Sequence, residues 1–521
     1  MGGRPVSYPA TSADSWKLAE PHASQAQGMI VSGYNHLPVS QTLFLEFDWD
    51  SSTSGGAWLK ALEGIAPVTA ADGKKDPSVG LGITATGLIK MGVEESVMAG
   101  FSAPFLEGMF QVDRMRRLND RVGTEWSSCV REGGPLWSAN TPPPQVHDTS
   151  GLMSTLPRRD DTSITTPITV DAMLILFCKD SREGRTWSDR VTEVLARCGV
   201  KVVRHRETNL EFDKHDMVRE HFGFGDGLSQ PIPWDPKAIE GAGRAPDHVN
   251  GIALGDILLG HVDGHHETTV GPMVTRGSTH LDDPDDPDNL DLGLNGSYLV
   301  VRELWQDVAG FWNNAAEVER ELGLDSEARK ERPGTWVAER IIGRAMSGDV
   351  LRPGGVADRY DPKAPANDFL FFDDDFRGLG CPLGSHMRRG NPRDGLATKA
   401  SQKDSLLASS NRHRFLRRGR KFGPRIADPM VDDGAERGLI FLIVNADIER
   451  QFEFVQQVWM MSPSFGTLFD ETDPLIGPGS RFTIGAEPVR RRADIANFTK
   501  LAGGEYFFLP SLPAIKWLSE L

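Results

Sequence analysis

Cysteine is scarce in this chain: four in 521 residues, at Cys129, Cys178, Cys198 and Cys381, with no CxxC pair among them. That spacing excludes a zinc knuckle and a disulfide framework, and it suits reduced thiols in a cytoplasmic protein. No uncharged apolar run approaches the ~20 residues that a spanning helix needs. The first residues carry neither an apolar signal core nor a twin-arginine pair, and Met1-Gly2 is followed by Arg4 and Pro5 soon after, which does not make an acylation signal. An unexported protein with no membrane partner is expected. Positive charge is also in deficit. A formal net charge of −16 argues against a general nucleic-acid binder, because most of the surface would repel phosphate.

What is present is an ordinary globular composition, 39% hydrophobic and 25% charged, in a chain too long for one hydrophobic core. Residues 1–27 read as a poorly ordered arm. Apolar β-branched runs predict strands at 41–49, 80–88, 169–178, 200–207, 297–304 and 438–444. Helical spacing predicts helices from 58, over 186–198 ended by Gly199, over 305–322 and over 448–460. Loops are expected over 126–166, 282–291 and 353–375, which are rich in Pro, Gly, Ser or Asp. Repeated strand-helix-strand cycles imply an α+β fold with antiparallel sheets and peripheral helices. The expected division places an N-terminal half at 28–240 and a C-terminal half at 241–521. The last segment, FFLPSLPAIKWLSEL, reads as a strand and a short helix.

Three segments carry chemistry. In HFGFGDGLSQP, residues 221–231, glycines surround Asp226, so the backbone can bend close to a ligand; Gly227 follows the carboxylate directly. A simple Asx turn is the competing reading. In CPLGSHMRRGNPRD, residues 381–394, His386 stands among Arg388, Arg389 and Arg393, after an acidic run at 373–375. A ligand histidine beside arginines for an anionic cofactor competes with a plain solvated basic face. In NRHRFLRRGRKFGP, residues 411–424, a basic run in an acidic protein suggests an anionic ligand, with a polyanion-binding strip as the alternative.

Taken in this order, the segments resemble the dye-decolorizing peroxidase family. GFGDG at 223–227 matches its GxxDG signature, SHMRRGNPRD at 385–394 its proximal histidine segment, and RFLRRG at 414–419 its distal arginine strand. GSYLVVREL at 296–304 and RGLIFLIVNADIERQFEFVQQVW at 437–459 extend the likeness. The resemblance runs from about residue 27 to the C-terminus, and the length matches the family's larger bacterial and cyanobacterial members.

The resemblance implies two ferredoxin-like halves with haem b between them, held mostly by the second. His386 would bind the iron, and Asp226 and Arg417 would handle peroxide. Gly227, Arg388 and Arg414 would contact the cofactor. Asp447, or else Glu449, would accept the second N–H of His386, unless both merely place charge at a helix N-terminus. Some members carry an asparagine two positions after the distal arginine, where this chain has Gly419. Cys381 is expected to be a packed thiol and not a ligand. The implied activity is reduction of hydrogen peroxide with oxidation of an aromatic dye or phenolic reductant, with an acidic optimum because the base is a carboxylate. A haem-handling or electron-transfer protein is the alternative, though passive binding requires neither Asp226 nor Arg417. Surface Trp or Tyr residues relay electrons in the family; Trp305, Trp312, Trp336 and Tyr298 are candidates, most of them expected in the core. Monomer and homodimer both remain open.

Overall fold

The computed structural model describes residues 18–49, 55–72, 76–140, 165–234, 247–269, 271–274, 281, 290–324, 332–356 and 367–521. Four strands open the chain: β1 (Val39–Phe47), β2 (Ser78–Ile83), β3 (Ala172–Cys178) and β4 (Val200–Asn209). They pair antiparallel in the order β4-β1-β3-β2. Helix α1 (Ala57–Glu63) lies between β1 and β2 in sequence, and α2 (Ser181–Ala196) between β3 and β4. This is the ferredoxin-like βαββαβ arrangement.

The second set repeats it: β5 (Ser297–Gln306), a broken strand made of β6 (Leu416–Arg417) and β7 (Arg420–Phe422), β8 (Gly438–Asn445) and β9 (Thr499–Leu509). Their order is β6/β7-β8-β5-β9, again antiparallel. The two sheets join at both edges. β7 pairs with β4 through Lys421–Asn209 and Phe422–Thr208, and β2 pairs with β9 through Ile83–Phe508. The result is a closed barrel with no free edge between the halves.

Closure sorts the side chains by strand period. Phe44, Met173, Ile175, Leu299, Val301, Ile440, Leu442, Val444 and Phe507 pack as one cluster inside the barrel. Leu304, Leu439, Phe441 and Ile443, at alternate positions, leave the barrel and face the helices outside it. That outer face of the second sheet is where the site lies.

Several boundaries differ from the sequence expectation for local reasons. The strand at 80–88 stops at Ile83, because Thr84 caps a helix over Ala85–Lys90 with its side chain accepting from Gly87 N. Asp180 caps α2 early, accepting from the N–H groups of Arg182 and Glu183. Trp305 and Gln306 stay in β5, and the following helix α3 (Val308–Glu321) starts after Asp307, whose side chain accepts from Gly310 N. The segment 448–460 is wound as π-helix over Glu449–Glu453 and Val455–Met460, with Glu453 N donating to Ile448 O and Met461 N to Gln456 O.

The expected arm needs correction. Residues 1–17 lie outside the described residues, as does most of the loop at 126–166. Leu18, Ala23, Ala26 and Gln27, however, are buried, and Gln27 donates to Leu81 O and Pro510 O at 2.8 Å each. Apolar residues in a short segment were enough to pin it. The four cysteines are free thiols. Among the described residues no helix is long and apolar enough to cross a membrane.

Candidate active site

One cavity, with an empty volume of about 1800 Å³ including its mouth, gathers most of the flagged residues. Its walls are Leu304, Leu439, Phe441, Ile443 and Leu501 from the second sheet, and Phe452, Val455 and Met460 from the π-helical turns. No residue of β1 to β4 lines it, so it lies beside the second half, outside the barrel. The earlier chain supplies the 220–231 loop together with Asp120 and Cys129.

His386 opens the helix α4 (His386–Gly390), whose N-cap Ser385 accepts from Arg388 N. The acidic run before it has a local use. Asp375 is buried, and its carboxylate accepts the N–H groups of Leu379 and Cys381 at 2.7 and 2.8 Å, fixing the turn that leads into α4. Nδ1 of His386 lies 3.0 Å from Asp473 Oδ2 and 3.2 Å from Oδ1, which leaves Nε2 as the ring nitrogen available to the cavity. Asp473 is fully buried. Burial would raise its carboxyl, but the His386 partner and the Ile476 N–H outweigh it, so the net direction is below the usual carboxylate range.

The expected partner, Asp447, is elsewhere. Its Oδ1 accepts Arg450 N at 2.8 Å, and it forms a 3.6 Å ion pair with the Arg450 side chain. Glu449 is exposed and pairs with Arg117 at 3.7 Å. Both serve the start of the π-helical segment, where negative charge is favourable, and Asp473 takes the role assigned to them. The sequence signal was slight: an aspartate in the turn-rich stretch ETDPLIGPGS.

Asp226 lines the cavity on the Gly-rich loop, with its backbone N–H donating to Val218 O at 2.9 Å. Its Oδ1 accepts the N–H of the next residue, Gly227, at 2.6 Å, which is a local backbone contact and not an Asx turn. Gly227 has φ +73°, a conformation that favours glycine, and a Cβ there would meet nothing closer than Gln230 Nε2 at 3.9 Å. Arg417 reaches the same loop. Its Nη2 donates to Ser229 O at 3.3 Å, while Gln230 brackets its backbone with two bonds of 3.0 Å. Register on β6 opposite Ile443 puts it on the cavity side.

The arginines divide by partner. Arg388 does not line the cavity: its Nη1 donates to Asp375 O and Cys381 O at 2.9 and 3.1 Å, and its guanidinium lies 4.3 Å from the Phe371 ring centroid. A helical turn that buries Arg388 against this loop cannot also aim it at a ligand, so its expected cofactor contact is corrected to a structural one. Arg389 likewise holds Trp459 O and Glu471 O at 2.7 Å each. Arg418 and Arg420 hold carbonyls of the 29–37 segment, and burial pushes Arg420 down to about 9. The basic run is therefore mostly internal and is no polyanion strip.

Arg414 does line the cavity. It is buried, its Nη1 makes only long contacts of 3.3 and 3.5 Å, and its Nη2 has no partner. Burial pushes it down to about 9, with Arg417 adding to the effect. Asn391, beyond α4, also lines the cavity with both amide atoms buried and unpartnered. Arg344, which no motif had marked, joins them there and donates to Gly348 O and Asn367 Oδ1. Buried polar groups without protein partners suit an anionic ligand at this end. Flat apolar walls, one free imidazole nitrogen and unmet cationic donors fit a haem with its two carboxylates. Cys381 is fully buried, bonds Ser385 Oγ at 3.1 Å and does not line the cavity, as expected of a packed thiol.

No family model matches the chain. The multifunctional dye peroxidase DyP2 of Amycolatopsis sp. is 30% identical over 373 residues, spanning 67% of this chain and 71% of that one. The dye-decolorizing peroxidase msp1 of Mycetinis scorodonius is 28% identical over 325 residues, spanning 57% of this chain and 56% of that one. Among solved structures, the DyP-type peroxidase of Anabaena sp. superposes with a TM-score of 0.70 at 21% identity, covering 95% of this chain and 94% of that one. The chain belongs to the dye-decolorizing peroxidase family.

Proposed function

We propose that this protein binds haem b in the cavity beside the second sheet, reduces hydrogen peroxide there, and oxidises aromatic dyes or phenolic reductants. The observation that carries the reading is that His386, backed by Asp473, and the pair Asp226 and Arg417 line one cavity. Haem, when bound, would supply a redox-active iron for the reduction of peroxide.

The chain's own residues do the rest. His386 binds the iron through Nε2, and the Asp473 carboxylate fixes the ring and makes it a stronger donor. Arg414, Asn391 and Arg344 take the haem carboxylates. Asp226 accepts a proton from hydrogen peroxide and returns it to the departing oxygen. The Arg417 guanidinium stabilises negative charge as the O–O bond breaks. Gly419, packed against β8 with Ile440 O only 3.1 Å from where its Cβ would lie, brings no side chain to this work.

The test is peroxide-dependent oxidation of 2,6-dimethoxyphenol by the haem-loaded protein and its Asp226→Asn variant. Turnover by the wild type that drops at least ~100-fold in the variant supports the reading. Haem bound without turnover in the wild type favours a carrier.

A further inference from the structure

The loop that carries Asp226 hangs on a second carboxylate. Glu220 precedes that loop and lines the same cavity. Its Oε2 accepts Phe222 N at 2.8 Å and Gln306 Nε2 at 3.0 Å, and its Oε1 accepts Phe224 N at 2.8 Å. Phe222 and Phe224 are buried among Phe311 and Trp312, so these bonds fix the loop to the core. Gln306 comes from β5 and lines the cavity as well; its Oε1 is buried with no partner.

No cation pairs with Glu220 among the described residues. Arg219, its neighbour, is turned away into a two-point contact with Asp213 at 2.6 and 3.0 Å. The His221 ring is occupied by Phe422 O at 2.8 Å. Gln306, facing it from β5, is neutral, and Arg417 across the cavity reaches Ser229 instead. The charged group that does act on Glu220 is Asp226, and it is negative. An enclosed, unpaired acid beside another carboxylate keeps its proton to unusually high pH. Burial pushes Glu220 up to about 7, with Asp226 adding to the rise and the three N–H donors opposing it.

We propose that Glu220 is a second proton site of the active cavity, holding a proton that peroxide reduction consumes and passing it to Asp226. The inference rests on the peroxidase reading. Reduction of peroxide follows H2O2 + 2 H+ + 2 e− → 2 H2O, with the electrons drawn from the aromatic reductant. Asp226 takes one proton from peroxide and gives it back, so its relay supplies none of the two protons consumed. The Glu220 O–H gives up its proton, through the cavity that both residues line, to the Asp226 carboxylate. The Glu220 carboxylate that results is met by three N–H donors already in place, and it takes a new proton from water.

A loop anchor would work equally well in either protonation state, whereas a proton site must titrate at working pH. Infrared titration of the holoenzyme, and separately of the apoprotein, follows the C=O stretch of a protonated carboxyl between about pH 5.5 and 8.5. Buried Asp256 is also pushed up to about 7, so the readout is the difference spectrum: relative to Glu220→Gln, the wild type should show an additional band lost with a midpoint near 7. Gln306→Leu keeps the acid but removes one donor to its charged form, so the midpoint should move upward, and the alkaline limb of kcat should move with it. This second variant decides the matter even if Glu220→Gln folds poorly. A band of undiminished amplitude in Glu220→Gln, or a difference-band midpoint indifferent to Gln306→Leu, would overturn the proposal. The apoprotein titration reads the carboxyl without haem, so failure of the peroxidase reading is seen separately, as absent turnover beside an intact band.

Discussion

Asp473 and His386 stand 87 positions apart in sequence and meet at 3.0 Å. The same carboxylate accepts Leu475 N and Ile476 N at 2.9 and 3.0 Å, and Asp473 N donates to Met460 O at 2.8 Å. The loop thus ties the end of the π-helical segment to the ring that faces the cavity. Asp473→Asn should lower the second-order rate with peroxide about 10–100-fold, because the ring loses both its orientation and an anionic acceptor. Asp447→Asn should leave that rate unchanged. Stopped-flow measurement of both variants checks the assignment; the opposite pattern would return the role to Asp447.

Peroxide cleavage should be sensitive to Arg417 as well as to Asp226. Arg417→Leu removes a positive charge held against the Gly-rich loop, and a fall of about 100- to 1000-fold in kcat/KM for peroxide is expected. The KM for the reductant, measured at saturating peroxide, should move little. A variant that loses only reductant affinity would place Arg417 outside the peroxide step.

Arg414 and Arg388 should separate cleanly. Arg414→Gln leaves a cavity-lining cationic site empty, so haem retention on dilution should weaken by about tenfold or more. Arg388→Gln instead strips the two carbonyls and the aromatic face that hold the turn before α4. Its main effect should be a loss of stability of about 2–3 kcal/mol in the haem-free protein. Haem dissociation rates and denaturant curves for the two variants measure this.

The barrel carries its own acid sensitivity in Glu303, which is fully buried. It accepts from Arg204 Nε at 2.7 Å, Arg206 Nη2 at 2.8 Å and Trp137 Nε1 at 3.0 Å. Burial would raise its carboxyl, but Arg204 and Arg206 outweigh this and hold it below the usual range. A depressed folded-state value contributes stability above the unfolded carboxyl pKa of about 4.3, and that stability is lost as pH falls through the folded value. Near-UV circular dichroism should therefore collapse under acid. Glu303→Gln, which removes the shared carboxylate of two half-buried guanidinium groups while Arg206 keeps Glu436, should cost about 1.5–3 kcal/mol at neutral pH. Wild-type-like stability in that variant would contradict the barrel account.

The strands were legible because they are nearly continuous apolar runs, as strands buried on both faces are, and the three motif segments contained His386, Asp226, Arg417 and Arg414. What the chain order hid was long-range. Nothing near Asp473 marks it, since its role depends on a loop that returns to α4 only after the π-helical segment. Arg388 was misread because eight arginines in two short runs look alike until burial assigns carbonyls to some and a cavity to others. Arg344 carried no local signal at all, and Asn391 lay unmarked inside the SHMRRGNPRD segment. Glu220 sits directly before HFGFGDG, yet only the fold shows its two oxygens gripping that loop.

The most direct test of the central claim is the visible spectrum of haem-reconstituted protein before and after one equivalent of hydrogen peroxide, for wild type and His386→Ala. The account predicts a Soret band that shifts with peroxide in the wild type, with haem binding or the shift lost in the variant. An unchanged band in the wild type, or an identical peroxide response in His386→Ala, would contradict it.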